Sequence, residues 1–449
     1  MGFNSLEFVF LFLPCFLGCY YLFSPKWRNT VLALGSMVFY LIGVWKQPWC
    51  LVLLAAEVML IWITALFMPH FQEKRRLLIG CLALLFGALL IFKYAGLLGA
   101  GLALPLGVSF YSFQLAAYLI DVYRKRVEPS PLLRDFAAGI LMFPKLLSGP
   151  LMDPGDLRHQ LAGRRDGLES FDRGLREFII GLALKVLLAD RVGGLWTQVK
   201  TIGFESISTP MAWMGLAGYC FQLYFDFWGY SRMATGLGRM MGFRLPRNFD
   251  HPYAARSMTE FWRRWHITLG AWFRDYIYIP LGGSRQGLPR TICNLLVVWL
   301  LTGIWHGSTW NFLLWGLFLF CLIALEKLGL GRVLDRHRFL SRIYMLLVIP
   351  LSWLLFAVPD LPQIGVYFSR LFPFFGDGIA VNPSDFIRYG KQYGLFLLLG
   401  FLLSSPWPER IWNRVRASAL GTVLCLLLFW GAVYCMAVAT NDPFLYFSF

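Results

Sequence analysis

Residues 261–285 read FWRRWHITLGAWFRDYIYIPLGGSR, and after a short polar turn residues 295–310 read LLVVWLLTGIWHGSTW. In the first stretch Trp262, Trp265 and Trp272 are interleaved with Arg263, Arg264 and Arg274, a composition suited to an amphipathic helix lying in a membrane interface. The second stretch is apolar for long enough to reach membrane depth. Each carries one histidine: His266 in the interfacial segment, His306 in the apolar one. That separation is the main clue to function.

The rest of the chain shares the apolar character. Of its 449 residues 58% are hydrophobic and 15% charged, where soluble domains carry roughly a quarter charged residues. The expectation is an all-α polytopic membrane protein. Apolar runs that approach the roughly twenty residues needed for a crossing helix occur near 6–23, 30–45, 49–68, 77–93, 105–122, 174–190, 211–231, 291–306, 309–326, 343–358, 393–405 and 418–439. That is eleven or twelve spans. No long polar break separates them, so residues 1–449 read as one membrane-embedded domain. The first run has no basic residue ahead of it and many spans behind it, which identifies a retained helix in place of a cleaved signal.

The net charge of +16 does not point to nucleic acid, because the basic residues sit in short loops. Lys74–Arg76, Arg124–Arg126, Arg158–Arg176, Arg244–Arg290, Lys327–Arg342 and Arg410–Arg416 are basic, whereas 94–104, 193–210, 359–387 and 440–449 are nearly free of basic charge. All basic loops fall on one side if the N-terminus is outside, the pattern of the positive-inside rule. Lipid headgroups are the expected partners of that charge. Two stretches do not read as simple spans. Residues 136–152 contain Pro144, Lys145, Gly149 and Pro150 and predict a broken or re-entrant segment; residues 258–278 predict the interfacial helix.

An ionisable group at membrane depth is costly and by default functional, which singles out His306. A neutral imidazole there can take a proton from a hydroxyl nucleophile; the competing role is a hydrogen bond between helices. His266 can serve a donor or merely pack at the interface. Arg263, Arg264, Arg274 and Arg285 can hold phosphates of a soluble donor, or can anchor the cytoplasmic face. Asp226 and Arg232 are six residues apart, not on one helical face, so each is expected to pair with another span. Asp121, Lys145, Lys185 and Asp190 lie nearer helix ends and are expected to reach the interface. The nine cysteines form no metal-type cluster, and no phosphate-binding loop, nucleophile elbow or zinc motif is present. Cofactor-free acid/base chemistry is what remains.

With these residues in view, 261–285 and 303–316 (GIWHGSTWNFLLWG) resemble the two signature stretches of the membrane-bound O-acyltransferase superfamily, in its bacterial branch of alginate O-acetylation and teichoic acid D-alanyl transfer proteins. Residues 105–114, 121–124, 143–150, 221–242 and 443–449 extend the resemblance along nearly the whole chain, with a core at about 221–316. It implies a ring of helices around a central tunnel. His306 falls on the family's catalytic histidine and His266 on its second. Arg263, Arg264, Trp265, Arg274, Asp275, Asp226, Trp305 and Asn311 are candidates for the donor site or tunnel wall.

The implied activity moves an acyl group, acetyl first among candidates, from a cytoplasmic thioester such as acetyl-CoA across the inner membrane to an exported polysaccharide. No metal or bound cofactor is needed, and a periplasmic partner is implied. D-alanyl transfer to teichoic acid is the nearest rival, a transporter or channel a more distant one. The chain departs from the branch at Arg232, where Asp is usual, and at Lys145, where Gln is usual.

Overall fold

The computed structural model describes residues 1–98, 104–164, 167–375 and 382–438, and every regular element among them is a helix. This is what hydrocarbon demands, since each backbone N–H there must find its acceptor within its own segment. All twelve apolar runs fall on helices. Six of these, Trp49–His70, Lys74–Tyr94, Gly287–His306, Trp310–Arg336, Arg338–Ala357 and Ala419–Val438, are long and apolar enough to cross a membrane. Others are shorter than their runs suggested. The Arg28–Gly43 helix has 16 residues, a rise of about 24 Å against a hydrocarbon core of roughly 30 Å. The run at 105–122 loses its first turn to Gly107, whose φ of 72° precedes the Val108–Tyr123 helix. The terminal stretch 443–449, and with it the last of the weakly basic loops, lies outside the described residues.

The chain forms two compact units interleaved in sequence, one of residues 1–182 with 230–247, the other of residues 183–229 with 248–435. In the first, Phe143 gathers an aromatic core: its ring lies 5.0 Å from Phe16, 5.4 Å from Phe39 and 5.5 Å from Phe12. The chain reaches Phe143 through a break. The Leu133–Leu141 helix stops at Met142 (φ −41°, ψ 107°), and one turn, Phe143–Leu146, follows. Pro144 has no N–H to continue a helix through this point, and the Phe143 N–H is taken by Ser36 Oγ at 3.0 Å. Gly149 lets the backbone fold back on that turn, since a Cβ there would lie 2.3 Å from Lys145 Cα. The broken segment read from the sequence at 136–152 is present. In the same unit Arg232 Nε meets Glu177 Oε1 at 2.8 Å.

In the second unit the Gly287–His306 and Trp310–Leu325 helices form a close hairpin. Gly303 and Gly316 make it possible, because an added Cβ would lie 2.7 Å from Phe312 O and 2.6 Å from Trp299 O respectively. Small residues at such crossings let helix backbones approach, which is how apolar helices gain contact in lipid. The weakly basic stretch at 359–387 is not all loop: it contains the Leu361–Leu371 helix, tied down by Tyr367, whose hydroxyl donates to Ala212 O at 2.7 Å.

Candidate active site

The stretch expected as one interfacial helix is two short helices, Met258–Arg264 and Ile267–Phe273, joined at Trp265–His266. His266 has φ 44° and ψ 53°, a left-handed conformation that costs a non-glycine residue roughly 1–2 kcal/mol. Its surroundings hold it there. Asn248 O accepts from Ile267 N at 2.9 Å, and Asn248 Oδ1 accepts from Thr268 N at 3.3 Å and Thr268 Oγ1 at 2.6 Å. The break turns His266 inward: it is 4% exposed, with its ring 4.7 Å from that of Phe227. The left-handed break buries the histidine that the sequence allowed either to serve a donor or to pack. Burial pushes its imidazole down to about 3, so it is neutral at physiological pH.

The helix ahead of the break is fixed at its start. Ser257 Oγ accepts from Glu260 N at 3.1 Å, the N-terminal half of a capping box. Glu326, 7% exposed, accepts from Met258 N at 2.6 Å, Thr259 N at 2.9 Å, Thr259 Oγ1 at 2.6 Å and the Tyr344 hydroxyl at 3.0 Å. A carboxylate at a helix N-terminus meets free N–H groups and the positive end of the helix dipole. Sequence reasoning missed Glu326. Its only signal was an acidic residue at the edge of an apolar run.

His306 ends the Gly287–His306 helix and is 9% exposed. Its ring stands edge-on to Trp315 at 4.9 Å and to Phe356 at 5.0 Å, with Trp305 at 4.5 Å. Asn311 steadies this cluster: its Nδ2 donates to Leu355 O at 3.0 Å and Phe356 O at 3.2 Å, linking two helices beside the histidine.

Both histidines line one cavity of about 480 Å³. Five tryptophans contribute to its wall. Trp262 lies 5.0 Å from Trp299 and 5.6 Å from Trp315, and Trp265 lies 4.9 Å from Trp353. The indole N–H groups of Trp262 and Trp315 are buried and have no acceptor among the described residues. Arg263, Arg274 and Lys327 are further lining residues, all exposed and all cationic, and they give the cavity a basic rim.

Of the residues singled out from sequence, His266, His306, Arg263, Trp265 and Arg274 line this cavity. The others do not. Arg264 pairs with Glu260 at 2.5 Å, and Asp275 receives Arg274 at 2.7 Å. Trp305 packs against His306, and Asn311 bonds to Leu355 O and Phe356 O. Asp226, 2% exposed, binds Lys185 Nζ at 2.5 Å, and Lys185 also meets Asp190 at 2.6 Å. Lys185 was expected at the interface but is 2% exposed in that ion pair; the attraction of two carboxylates offsets the cost of burying its charge. The wall residues Leu295, Val298, Trp299, Thr302 and His306 were legible as a face, since they recur at helical spacing. Trp315, Trp353 and Phe356 come from other helices and carried no such signal. Among the described residues no cluster of His, Cys, Asp or Glu could hold a metal.

Six helices long and apolar enough to cross a membrane, with two buried histidines lining one cavity, define an integral membrane protein. The sequence profile of the membrane-bound O-acyltransferase family matches residues 124–359, and the chain belongs to that family. It is 34% identical to the "Probable alginate O-acetylase AlgI" of Pseudomonas putida over the full length of both chains. It is 32% identical to the peptidoglycan O-acetyltransferase of Helicobacter pylori, covering all of this chain and 97% of that one. To the teichoic acid D-alanyltransferase of Streptococcus thermophilus it is 28% identical, over 47% of this chain and 54% of that one.

Proposed function

We propose that this enzyme transfers an acetyl group from a thioester donor to a hydroxyl of an exported polysaccharide. The observation that carries the reading is the convergence of His266 and His306 on one cavity with a basic rim. In the reaction the acceptor oxygen attacks the thioester carbonyl while its proton passes to the His306 imidazole. The carbon–sulfur bond then breaks and the thiolate leaves with that proton. The buried N–H groups of Trp262 and Trp315 are donors available to the carbonyl oxygen as it gains charge. His266, neutral and held by the Asn248-supported turn, positions the donor by hydrogen bonding. Arg263, Arg274 and Lys327 suit the phosphates of coenzyme A.

The relatives whose names record O-acetylation align over the full chain, whereas the D-alanyl relative aligns over less than half of it; this favours acetyl over D-alanyl. The same reading places the protein in the bacterial inner membrane with its N-terminus in the periplasm. A periplasmic partner delivers the polymer.

The test is the O-acetyl content of the exported polysaccharide in cells carrying wild type, His306→Ala or His266→Ala, with protein levels in the membrane matched. His306→Ala should lower transfer by about two to four orders of magnitude, the usual worth of a general base. Acetate at the wild-type level would remove His306 from the chemistry.

A further inference from the structure

A second cavity, of about 460 Å³, lies in the first unit and takes no part in the reaction above. At its inner end is Lys145, expected from the sequence to reach the interface but 1% exposed. Its ammonium donates to Gln114 Oε1, and no carboxylate pairs with it among the described residues. Gln114 is itself 5% exposed, and its Nε2 is a buried donor with no acceptor among the described residues. An ammonium and an amide N–H₂ thus line the same cavity with unused hydrogen-bonding capacity. A buried donor left unmatched costs about 1–3 kcal/mol, and more for a charged one.

The outer wall is also cationic. Lys26, Arg134 and Arg158 line it and are exposed. The two carboxylates in the wall are already engaged: Glu128 with Arg158 at 2.8 Å, and Asp135 with Asn29 Nδ2 at 2.8 Å and Arg134 at 3.6 Å. With Arg158 and Arg134 set against those carboxylates, the Lys145 ammonium inside and Lys26 outside leave a surplus of positive charge that favours an anionic ligand. The volume falls in the range of ligand sites and far exceeds a halide. Phe136, Ile140, Met152 and Leu161 add an apolar side wall, which suits an ester better than a bare ion.

We infer that this cavity is a binding site for a phosphate ester, whose phosphate is bound by Lys145 and Gln114 and whose organic part rests on the apolar wall. Burial alone pushes the Lys145 ammonium down to about 7, so a bound anion would also keep it charged at neutral pH. Two sources supply the chemistry, an anionic phospholipid headgroup or a soluble phosphate ester. The inference is independent of the acyl-transfer reading, because its readout is binding.

The experiment measures thermal unfolding of the full chain in neutral detergent. The probes are phosphatidylglycerol, phosphatidylcholine, glycerol phosphate, and chloride at matched ionic strength. Wild type should be stabilised by phosphatidylglycerol, by glycerol phosphate or by both, and not by chloride. Stabilisation by phosphatidylglycerol alone identifies a lipid headgroup; stabilisation by glycerol phosphate as well identifies a soluble ester. Lys145→Met should weaken the response about tenfold or more in probe concentration, the worth of one charged hydrogen bond. Without probe it should unfold no earlier than wild type, since it removes a buried charge. Should Lys145→Met not fold, Gln114→Leu and Arg158→Ala carry the same test. No response in wild type, or an equal response in the variants, overturns the site.

Discussion

The two cavities have nearly equal volumes, about 480 and 460 Å³, and each is entered by a buried nitrogen base next to a broken helix. They differ in how that base is treated. His266 sits among aromatic rings and is uncharged, so its site needs no counter-ion. Lys145 sits beside a single amide and has no carboxylate among the described residues, so its site needs an anion. An uncharged imidazole among apolar rings is suited to donating or accepting a hydrogen bond; an ammonium in a cationic wall is suited to holding a charge. The lesson is that burial alone does not assign a role, and the partners supplied by the surrounding helices do.

The comparison is broken most forcefully at the walls of the first cavity. Gly316→Leu puts a side chain where a Cβ already meets Trp299 O at 2.6 Å. Overpacking of this kind costs about 1–3 kcal/mol, and it should move Trp315 and reduce acyl transfer sharply while leaving the phosphate response at Lys145 intact. Retained transfer at full rate would show that the aromatic wall need not be rigid.

A smaller effect is expected from Glu326→Gln. It keeps the shape but weakens the hydrogen bonds to Met258 N and Thr259 N, at about 1–2 kcal/mol for loss of charge at a helix N-terminus. If Glu326 positions the segment that carries Arg263 and His266, KM for the donor should rise more than kcat falls. Equal losses in both would assign Glu326 to stability alone.

A further effect concerns pH. The His266 imidazole is held near 3 in the folded chain against about 6.5 when unfolded. Below pH 6.5 the unfolded chain therefore binds a proton that the folded chain refuses, and stability falls progressively from pH 6.5 toward 3, with no contribution above that window. His266→Phe should flatten the fall of the unfolding midpoint between pH 6.5 and 4. An unchanged slope would mean that His266 can protonate in the folded state, and the contrast with Lys145 would narrow.

Hydropathy, the interfacial composition of 261–285 and the broken character of 136–152 were all readable in the sequence, because each depends on residues adjacent along the chain. So was one wall of the first cavity, through the helical spacing of Trp299, Thr302 and His306. Arg264, Asp275 and Asp226 are not among the lining residues of this cavity, for a common reason. A charged residue near a site looks the same in sequence whether it faces the cavity or is consumed by a partner such as Glu260, Arg274 or Lys185.

By itself the sequence determined that this chain is helical and membrane-embedded, since hydrophobic length and periodicity are local properties that solvent selects segment by segment. Only the tertiary structure decided that His266 turns inward through a left-handed residue held by Asn248, that Lys145 is enclosed without a carboxylate among the described residues, and that five tryptophans line one space. Those outcomes depend on which distant helices pack together. Packing is set by close approaches such as Gly303 to Phe312 and Gly316 to Trp299, which no single segment encodes.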